Sequence, residues 1–296
     1  MELNQLRYVV AVADGGNFTR AATRCNVSQP SLSQQIIQLE KEIGHKLFHR
    51  LGRKAVPTEA GAAFLGRARR ILQEVDDASK ELSDNPALER KIMVGAVPTL
   101  APYLLPHLIG LCQSRFPNLQ VDVREDFKNA LVEAVIEGDL DLAIIPAPVK
   151  DPRIHSETLL QEPLLLVVAK DHPLASRPRV TVADLADQTF ALLGSSSTLA
   201  AQVRAFCGDN HFEPRIAYRC AQVATVKALV ACGVGISILP RMAQSPEDRD
   251  ALSYITLADG SPTRELIVIR HLQRYQTRGA GQFLGLLREC TDEPLG

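Results

Sequence analysis

The sequence contains no hydrophobic run of the roughly 18 residues that a membrane-spanning helix needs. No N-terminal segment combines a basic start, an apolar stretch and a small-residue cleavage site, as a secretory signal does. The six cysteines lie far apart and form no C-x-x-C pair, which argues against a zinc site and against a disulfide framework. These absences predict a cytoplasmic protein that binds neither a membrane nor a metal.

The usual catalytic motifs are missing as well. The sequence has no G-x-S-x-G, H-E-x-x-H or P-loop motif, and its seven histidines do not follow the spacing of metal ligands. An enzyme is therefore the disfavoured alternative, and we expect no catalytic residues and no cofactor.

The charge is distributed unevenly along a chain that is long enough for more than one core. The 296 residues are 46% hydrophobic and 23% charged, with a net charge of -1. Residues 1–70 hold 11 Lys and Arg against 5 Asp and Glu, a net +6, whereas the rest holds 22 against 29, a net -7. A basic first segment before an acidic body predicts a nucleic-acid-binding module joined to a domain with another task.

The first 60 residues predict a winged helix-turn-helix. Apolar residues recur at helical spacing in three short segments, with a break at Gly15-Gly16 and a predicted N-cap at Ser28. Two short helices that meet at a tight turn are typical of the helix-turn-helix. A basic stretch at residues 50–56 then predicts a hairpin, which would be the wing.

The third helix and the wing carry the predicted DNA contacts. We expect Gln29, Ser31, Ser33 and Gln34 to lie on the face opposite Leu32, Ile36 and Leu39, where they could reach base edges. The full predicted set is Ser28, Gln29, Pro30, Ser31, Ser33 and Gln34 on the helix and Arg50, Arg53 and Lys54 on the wing. The competing interpretation is a solvated helix face.

A long linker helix is predicted from Thr58 to about Leu82. Its apolar residues form one narrow stripe that includes Leu65, Leu72 and Val75. Because this stripe has no partner within its own segment, we expect it to pair with a second copy of the chain as a homodimer. Each dimer would place two recognition helices in successive major grooves, so the target is expected to be double-stranded DNA with an interrupted palindrome.

Beyond residue 90 the pattern changes to α/β units, which we expect to surround mainly parallel sheets. Strands are predicted near 92–96, 140–145, 164–169, 190–193 and 236–239, and helices near 102–115, 127–137, 198–207 and 222–232. Thr99 and the run Ser195, Ser196, Ser197 and Thr198 follow predicted strands where helices begin, so they are candidate effector-binding residues. Ordinary helix N-caps are the alternative for both.

Several motifs resemble the LysR-type transcriptional regulator family. They are Phe18-Thr19-Arg20-Ala21-Ala22, Val27-Ser28-Gln29-Pro30-Ser31-Leu32-Ser33-Gln34-Gln35-Ile36, Leu39-Glu40-Lys41-Glu42-Ile43-Gly44 and Thr58-Glu59-Ala60-Gly61, with further likeness along the whole chain. The resemblance implies an α+β multi-domain chain with a winged helix-turn-helix at 1–58, a linker (dimerisation) helix at 59–86 and an effector-binding domain at 87–296. That domain would resemble a periplasmic binding protein, with lobe I at about 91–161 and 267–296 and lobe II at about 162–266.

The resemblance also implies partners and further site residues. Homodimers would pair into homotetramers that contact RNA polymerase, and a ligand would lie in the cleft between the lobes. Lys128 and Thr225 would join the effector site, and a cation at Lys128 among hydroxyl groups suits a small anionic effector.

Within the family, the stretch from Pro98 to His107 is similar to the peroxide-sensing OxyR branch. That branch uses a reactive cysteine and a resolving cysteine about nine residues later. Cys207 stands at the resolving position, but Thr198 stands where the reactive cysteine would be. We therefore expect control by a reversibly bound small molecule, and keep cysteine oxidation through Cys207 and another thiol such as Cys220 as the alternative.

Overall fold

The structure is a computed structural model that describes residues 1–51, 54–83 and 90–292. The chain divides into two compact units, Met1–Asn85 and Pro86–Gly296. Across these described ranges, every helix is too short or too polar to cross a membrane.

The first unit contains three short helices, a hairpin and a long helix. In chain order its elements are α1 (Leu3–Gly15), α2 (Phe18–Arg24), α3 (Gln29–Ile43), β1 (Phe48–Leu51), β2 (Lys54–Pro57) and α4 (Glu59–Ser83). Asn17 caps α2 through its side-chain oxygen, and the Ser28 hydroxyl accepts a hydrogen bond from the N–H of Ser31 at the start of α3. Strands β1 and β2 pair antiparallel. The predicted helix-turn-helix, its Ser28 cap and the hairpin are confirmed.

The core of the first unit includes the beginning of α4. Its buried apolar side chains include Val9, Val12, Ala21, Leu32, Ile36, Leu39, Leu47, Phe48, Ala55 and Leu65. The predicted apolar stripe has no partner within its own segment, but at Leu65 it finds one elsewhere in the chain, because α1 packs against α4 and buries that side chain. Farther along α4, Leu72 is half-buried and Ile71 is 39% exposed. Among the large apolar side chains that the structure describes on α4, Ile71 and Leu72 therefore keep surface for a partner.

The second unit contains nine strands and five helices longer than a single turn within its described residues. They are β3 (Arg90–Ala96), α5 (Ala101–Arg115), β4 (Leu119–Glu125), α6 (Lys128–Glu137), β5 (Leu142–Pro146), β6 (Ile154–Ala169), β7 (Thr189–Leu193), α7 (Thr198–Asp209), β8 (Arg215–Cys220), α8 (Val223–Ala231), β9 (Ser237–Pro240), β10 (Leu252–Ile255), β11 (Thr263–His271) and α9 (Arg278–Asp292). The predicted α/β alternation is confirmed, although β4, β8, β10, β11 and α9 were not predicted.

The long strand β6 runs through both lobes of this unit. Its first half pairs with β11, and its second half pairs with β9 and β10, all antiparallel. Among the described residues, parallel ladders join β3 with β4 and β5 and β7 with β8, and one isolated parallel bridge links Phe190 to Ile236. The prediction of mainly parallel sheets is wrong, because β6 carries the chain into lobe II and β11 returns it alongside in the opposite direction.

Each lobe has its own apolar core. The first core includes Leu142, Ile144 and Phe283, and the second includes Phe190 and Val226. The predicted two-lobed α/β architecture is confirmed. A cleft between two separately packed lobes can open or close without disturbing either core.

Candidate functional site

Helix α3 presents a polar surface to solvent. The exposed residues at its start and along this face are Ser28, Gln29, Pro30, Ser31 and Gln34. Because a helix turns by about 100° per residue, Ser31, Gln34 and the exposed Gln38 share one face. Sequence reasoning missed Gln38, although helical spacing from Ser31 and Gln34 could have identified it. The arrangement offers hydroxyl and amide groups of the kind that read bases in the major groove.

Ser33 lies on a different side of the helix. It is only 8% exposed, so the prediction that it lies opposite Leu32 and Ile36 is wrong. The physical reason is spacing: Ser33 precedes Ile36 by three residues, which places the two about 60° apart around the axis. Ser33 therefore falls near the buried side of α3.

On the described part of the wing, Lys54 presents its side chain to solvent. Lys54 begins β2 and is exposed, whereas its neighbour Ala55 is buried. Arg50 lies in β1, opposite Ala55 in the hairpin register. The predicted contact Arg53 lies outside the described residues. A lysine at an exposed hairpin fits contact with DNA phosphates, which positions a duplex without reading its sequence.

Two side chains attach the wing to the helices around it. The buried Glu40 carboxylate of α3 accepts a hydrogen bond from the N–H of Leu47 at 2.9 Å and pairs with Lys46 at 2.8 Å. The Thr58 hydroxyl donates to the carbonyl of Lys46 at 2.6 Å and accepts from the N–H of Gly61 at 2.9 Å. The wing is thus anchored to the recognition helix and to the start of α4.

A cleft of about 740 Å³ lies between the lobes of the second unit. Its lining residues are Pro98, Thr99, Pro102, Tyr103, Glu125, Leu193, Ala221, Gln222, Val223, Ala224, Lys227, Ala228, Ala231, Ser245, Asp248, Ala251 and Leu252. Thr99 and Tyr103 come from the junction of β3 with α5, whereas Lys227 comes from α8 in the other lobe. The volume suits a small organic molecule, since ligand pockets occupy roughly 300 to 1,000 Å³.

The structure brings only one of the predicted effector residues to this cleft, and that residue is Thr99. The other six are absent from its lining: Lys128, Ser195, Ser196, Ser197, Thr198 and Thr225. The Lys128 ammonium group donates to the carbonyl of Pro148 at 2.7 Å, and burial lowers its pKa. The role of these six residues in effector binding stays a prediction. Lys128, the cation that suggested an anionic effector, does not line the cleft.

A buried arginine next to the cleft was missed by sequence reasoning. The Arg264 guanidinium is fully buried and donates to the Glu162 carboxylate at 2.7 Å and to the Thr99 hydroxyl at 2.9 Å. Burial lowers the pKa of Arg264, and the Glu162 charge opposes that shift. The other oxygen of Glu162 accepts from the N–H of Met242 in lobe II. No sequence signal marked this pair, because both strands carry several other polar and charged residues.

A second charged cluster forms part of the cleft wall. The Lys227 ammonium group lies 2.7 Å from Asp248 and donates to the carbonyl of Ala243 at 2.9 Å. Burial alone would raise the pKa of Asp248, but hydrogen bonds from Lys227, Ser245 and Tyr254 outweigh it and the net shift is downward. Burial and the bond to Asp248 raise the pKa of Tyr254. Lys227 could have been noticed as the only charge in the apolar segment of α8.

Two cysteines of the effector domain, Cys207 and Cys220, are poorly suited to oxidation. Cys207 is fully buried, and burial raises the pKa of its thiol to about 11. Burial also raises the pKa of Cys220. Since the thiolate is the species that reacts, both thiols are expected to be unreactive at neutral pH. Among the described residues, no group of three or more His, Cys, Asp or Glu could hold a metal ion.

Comparisons with known proteins cover almost the whole chain. The family model for the bacterial regulatory helix-turn-helix protein, lysR family, matches residues 3–62, and the model for the LysR substrate binding domain matches residues 87–291. The DNA-binding transcriptional dual regulator OxyR of Escherichia coli K12 is 36% identical over 270 residues, which are 90% of this chain and 88% of that protein.

Two solved structures are similar over their full length. A full-length OxyR cysteine-to-aspartate variant from Pseudomonas aeruginosa has a TM-score of 0.80 at 26% identity and covers 99% of this chain and 95% of its own. Full-length CbnR in complex with its target DNA has a TM-score of 0.68 at 26% identity, with 98% and 99% covered.

Proposed function

The chain belongs to the LysR family of bacterial transcription regulators, and on that premise we propose that a small molecule in the cleft controls its action on DNA. The chain is a homologue of OxyR. It is a DNA-binding regulator with an effector-binding domain, and its family consists of regulators, not enzymes. The observation that carries the proposal is the 740 Å³ cleft, whose walls come from both lobes. A ligand that touches both walls stabilises one arrangement of the lobes over the other.

Oxidation of a cysteine is the second candidate, because curated relatives include hydrogen peroxide-inducible genes activators. Burial raises the pKa of the Cys207 thiol to about 11, so the reactive thiolate is scarce at neutral pH. Thr198 also occupies the position that the family resemblance gives to the reactive cysteine. Both points favour a bound effector over a redox switch.

The DNA-binding unit supports the rest of the proposal. The exposed face of α3 would read an interrupted palindrome in double-stranded DNA, with Lys54 on a phosphate. Homodimers would form through the later part of α4, where Ile71 is exposed, and would pair into homotetramers that contact RNA polymerase. We place this activity in the cytoplasm, where bacterial DNA lies.

Substitutions on the wing and on α3 are expected to separate affinity from specificity. Lys54→Ala should weaken binding to every duplex and reduce the salt dependence by about one phosphate contact. Gln34→Ala should cost about 1 to 3 kcal/mol on the cognate sequence alone. Fluorescence anisotropy at several salt concentrations, with a sequence selected from a random pool and with a scrambled duplex, measures both effects.

Lys150→Ala, an exposed lysine of the effector domain, is the control and should match the wild type. If Lys54→Ala also matched it on both duplexes, the wing would not contact phosphate. If Gln34→Ala weakened both duplexes equally, α3 would not discriminate between bases.

Filling the cleft is expected to abolish the effector response. Ala228 is exposed and lines the cleft, so Ala228→Trp should block it while α8 stays folded. A panel of small organic acids, amines and alcohols is screened by thermal denaturation, since a ligand at 100 times its Kd stabilises by about 2.7 kcal/mol. Compounds that stabilise the wild type should also change its affinity for the selected duplex, and should do neither in Ala228→Trp.

Ala201→Trp is the matched control, because Ala201 is exposed on α7 and does not line the cleft. Equal stabilisation of wild type and Ala228→Trp would rule out the cleft as the site. A change in DNA affinity with peroxide that disappears in Cys207→Ser would instead establish the redox alternative.

A further inference from the structure

We propose that the cleft binds a small organic cation, a protonated amine on an apolar body. This inference rests on the proposed function and names the class of effector. It follows from which charges around the cleft are already neutralised and which are left for a ligand.

Two cations at the cleft, Arg264 behind its wall and Lys227 in its lining, are each paired with a carboxylate of the chain. Arg264 is paired with Glu162 and has no exposed surface, so it offers no charge to a ligand. Lys227 contacts both Asp248 and a backbone carbonyl, and it is the one cation among the described residues that line the cleft. An anion entering the cleft would therefore have to compete with Asp248 for Lys227.

The remaining charge of the cleft wall is the carboxylate of Glu125. Glu125 ends β4, is exposed and lines the cleft. The neighbouring cation, Arg124, pairs with Asp126 at 2.9 Å and not with Glu125. The charged lining therefore consists of one neutralised pair and one extra negative charge, which attracts a cation and repels a carboxylate.

Hydrogen-bonding capacity in the cleft agrees with the charge. The Lys227 ammonium group, the N–H of Ser245 and the Tyr254 hydroxyl all donate to Oδ2 of Asp248. The Oδ1 atom of Asp248 is then left to accept a hydrogen bond from a ligand. An ammonium group carries three donors and no acceptor, so it suits carboxylate oxygens as partners. The apolar lining, including Pro102 and Leu252, would cover the body of the molecule.

Three probes with the same skeleton and different charge test the inference on the full-length protein. Calorimetric titration with phenethylamine, 2-phenylethanol and phenylacetate should give affinities that fall in that order. The amine is expected to bind at least about tenfold more tightly than phenylacetate. Phenylacetate binding as tightly as the amine, or no amine binding at millimolar concentration, overturns the inference.

A charge-removing pair of variants identifies the carboxylate. Glu125→Gln should reduce the preference for the amine over the alcohol by about tenfold. Glu133→Gln removes the same charge from an exposed position on α6 outside the cleft lining, and should leave the preference unchanged. Equal effects of the two substitutions would contradict the assignment to Glu125.

Ala228→Trp distinguishes failure of this inference from failure of the proposed function. If phenylacetate bound more tightly than the amine and Ala228→Trp abolished its binding, the cleft would remain the effector site but its preferred charge would be negative. If the amine bound equally well to Ala228→Trp, the cleft would not be its site and both proposals would fail.

Discussion

Replacing Arg264 with methionine is expected to lower the free energy of unfolding of the effector domain by about 3 to 5 kcal/mol. Arg264 is fully buried and bonds to Glu162 and to both the hydroxyl and the carbonyl of Thr99. The substitution leaves the Glu162 carboxylate buried without its counter-charge. The hydroxyl and the carbonyl of Thr99 each lose the hydrogen bond that Arg264 donates to them. Whole domains are stable by only about 5 to 15 kcal/mol, so the loss would be a large share of the total.

Urea unfolding followed by circular dichroism measures this loss, since the chain has no tryptophan for fluorescence. Arg288→Met is the control: its pair with Glu157 has similar distances, 2.6 and 2.7 Å, but Arg288 is 51% exposed. Exposed pairs contribute about 0 to 1 kcal/mol. The double variant Arg264→Met/Glu162→Leu should recover much of the stability, because it removes both buried charges. Equal losses of unfolding free energy in Arg264→Met and Arg288→Met would show that the buried pair contributes no more to stability than the exposed pair.

Gly61→Ala is expected to destabilise the DNA-binding unit by about 1 to 3 kcal/mol or more. A Cβ at Gly61 would lie 2.0 Å from the carbonyl oxygen of Leu47 and 2.9 Å from its carbonyl carbon. These are backbone atoms at the start of the wing, so they cannot move aside as a flexible side chain would. Alanine gains about 1 kcal/mol over glycine in a helix, but the steric overlap is expected to dominate.

Gly66→Ala on the same helix separates the two effects, because a Cβ there meets nothing within 4 Å. That variant should be as stable as the wild type or up to about 1 kcal/mol more stable. Thermal denaturation by circular dichroism at 222 nm, together with binding to the selected duplex, compares the two. A Gly61→Ala protein that unfolds at the temperature of Gly66→Ala would mean that the wing does not approach α4 so closely.

The sequence predicted most of the helices because their signals are local. Ser28 caps a helix through a residue three positions away, and the helical spacing of Leu32, Ile36 and Leu39 identifies the buried face of α3. The two lobes of the effector domain were predicted from the resemblance to a known family. The prediction failed for Ser33, because it followed the polar character of the side chain, whereas the helical spacing from Ile36 places Ser33 on the buried side.

The cleft chemistry was decided by tertiary structure. Arg264 meets Glu162 across 102 residues and Thr99 across 165, and Lys227 meets Asp248 only because α8 packs beside the turn Pro246–Asp250. No spacing rule joins such positions, because strand pairing brings distant residues together without a sequence period. By itself, the sequence determined the helices of the DNA-binding unit, since capping and periodicity act between near neighbours, and its resemblance to a known family implied a regulator with a sensing domain. Which charges remain free for a ligand depended on the fold, because electrostatic pairing follows distance in space.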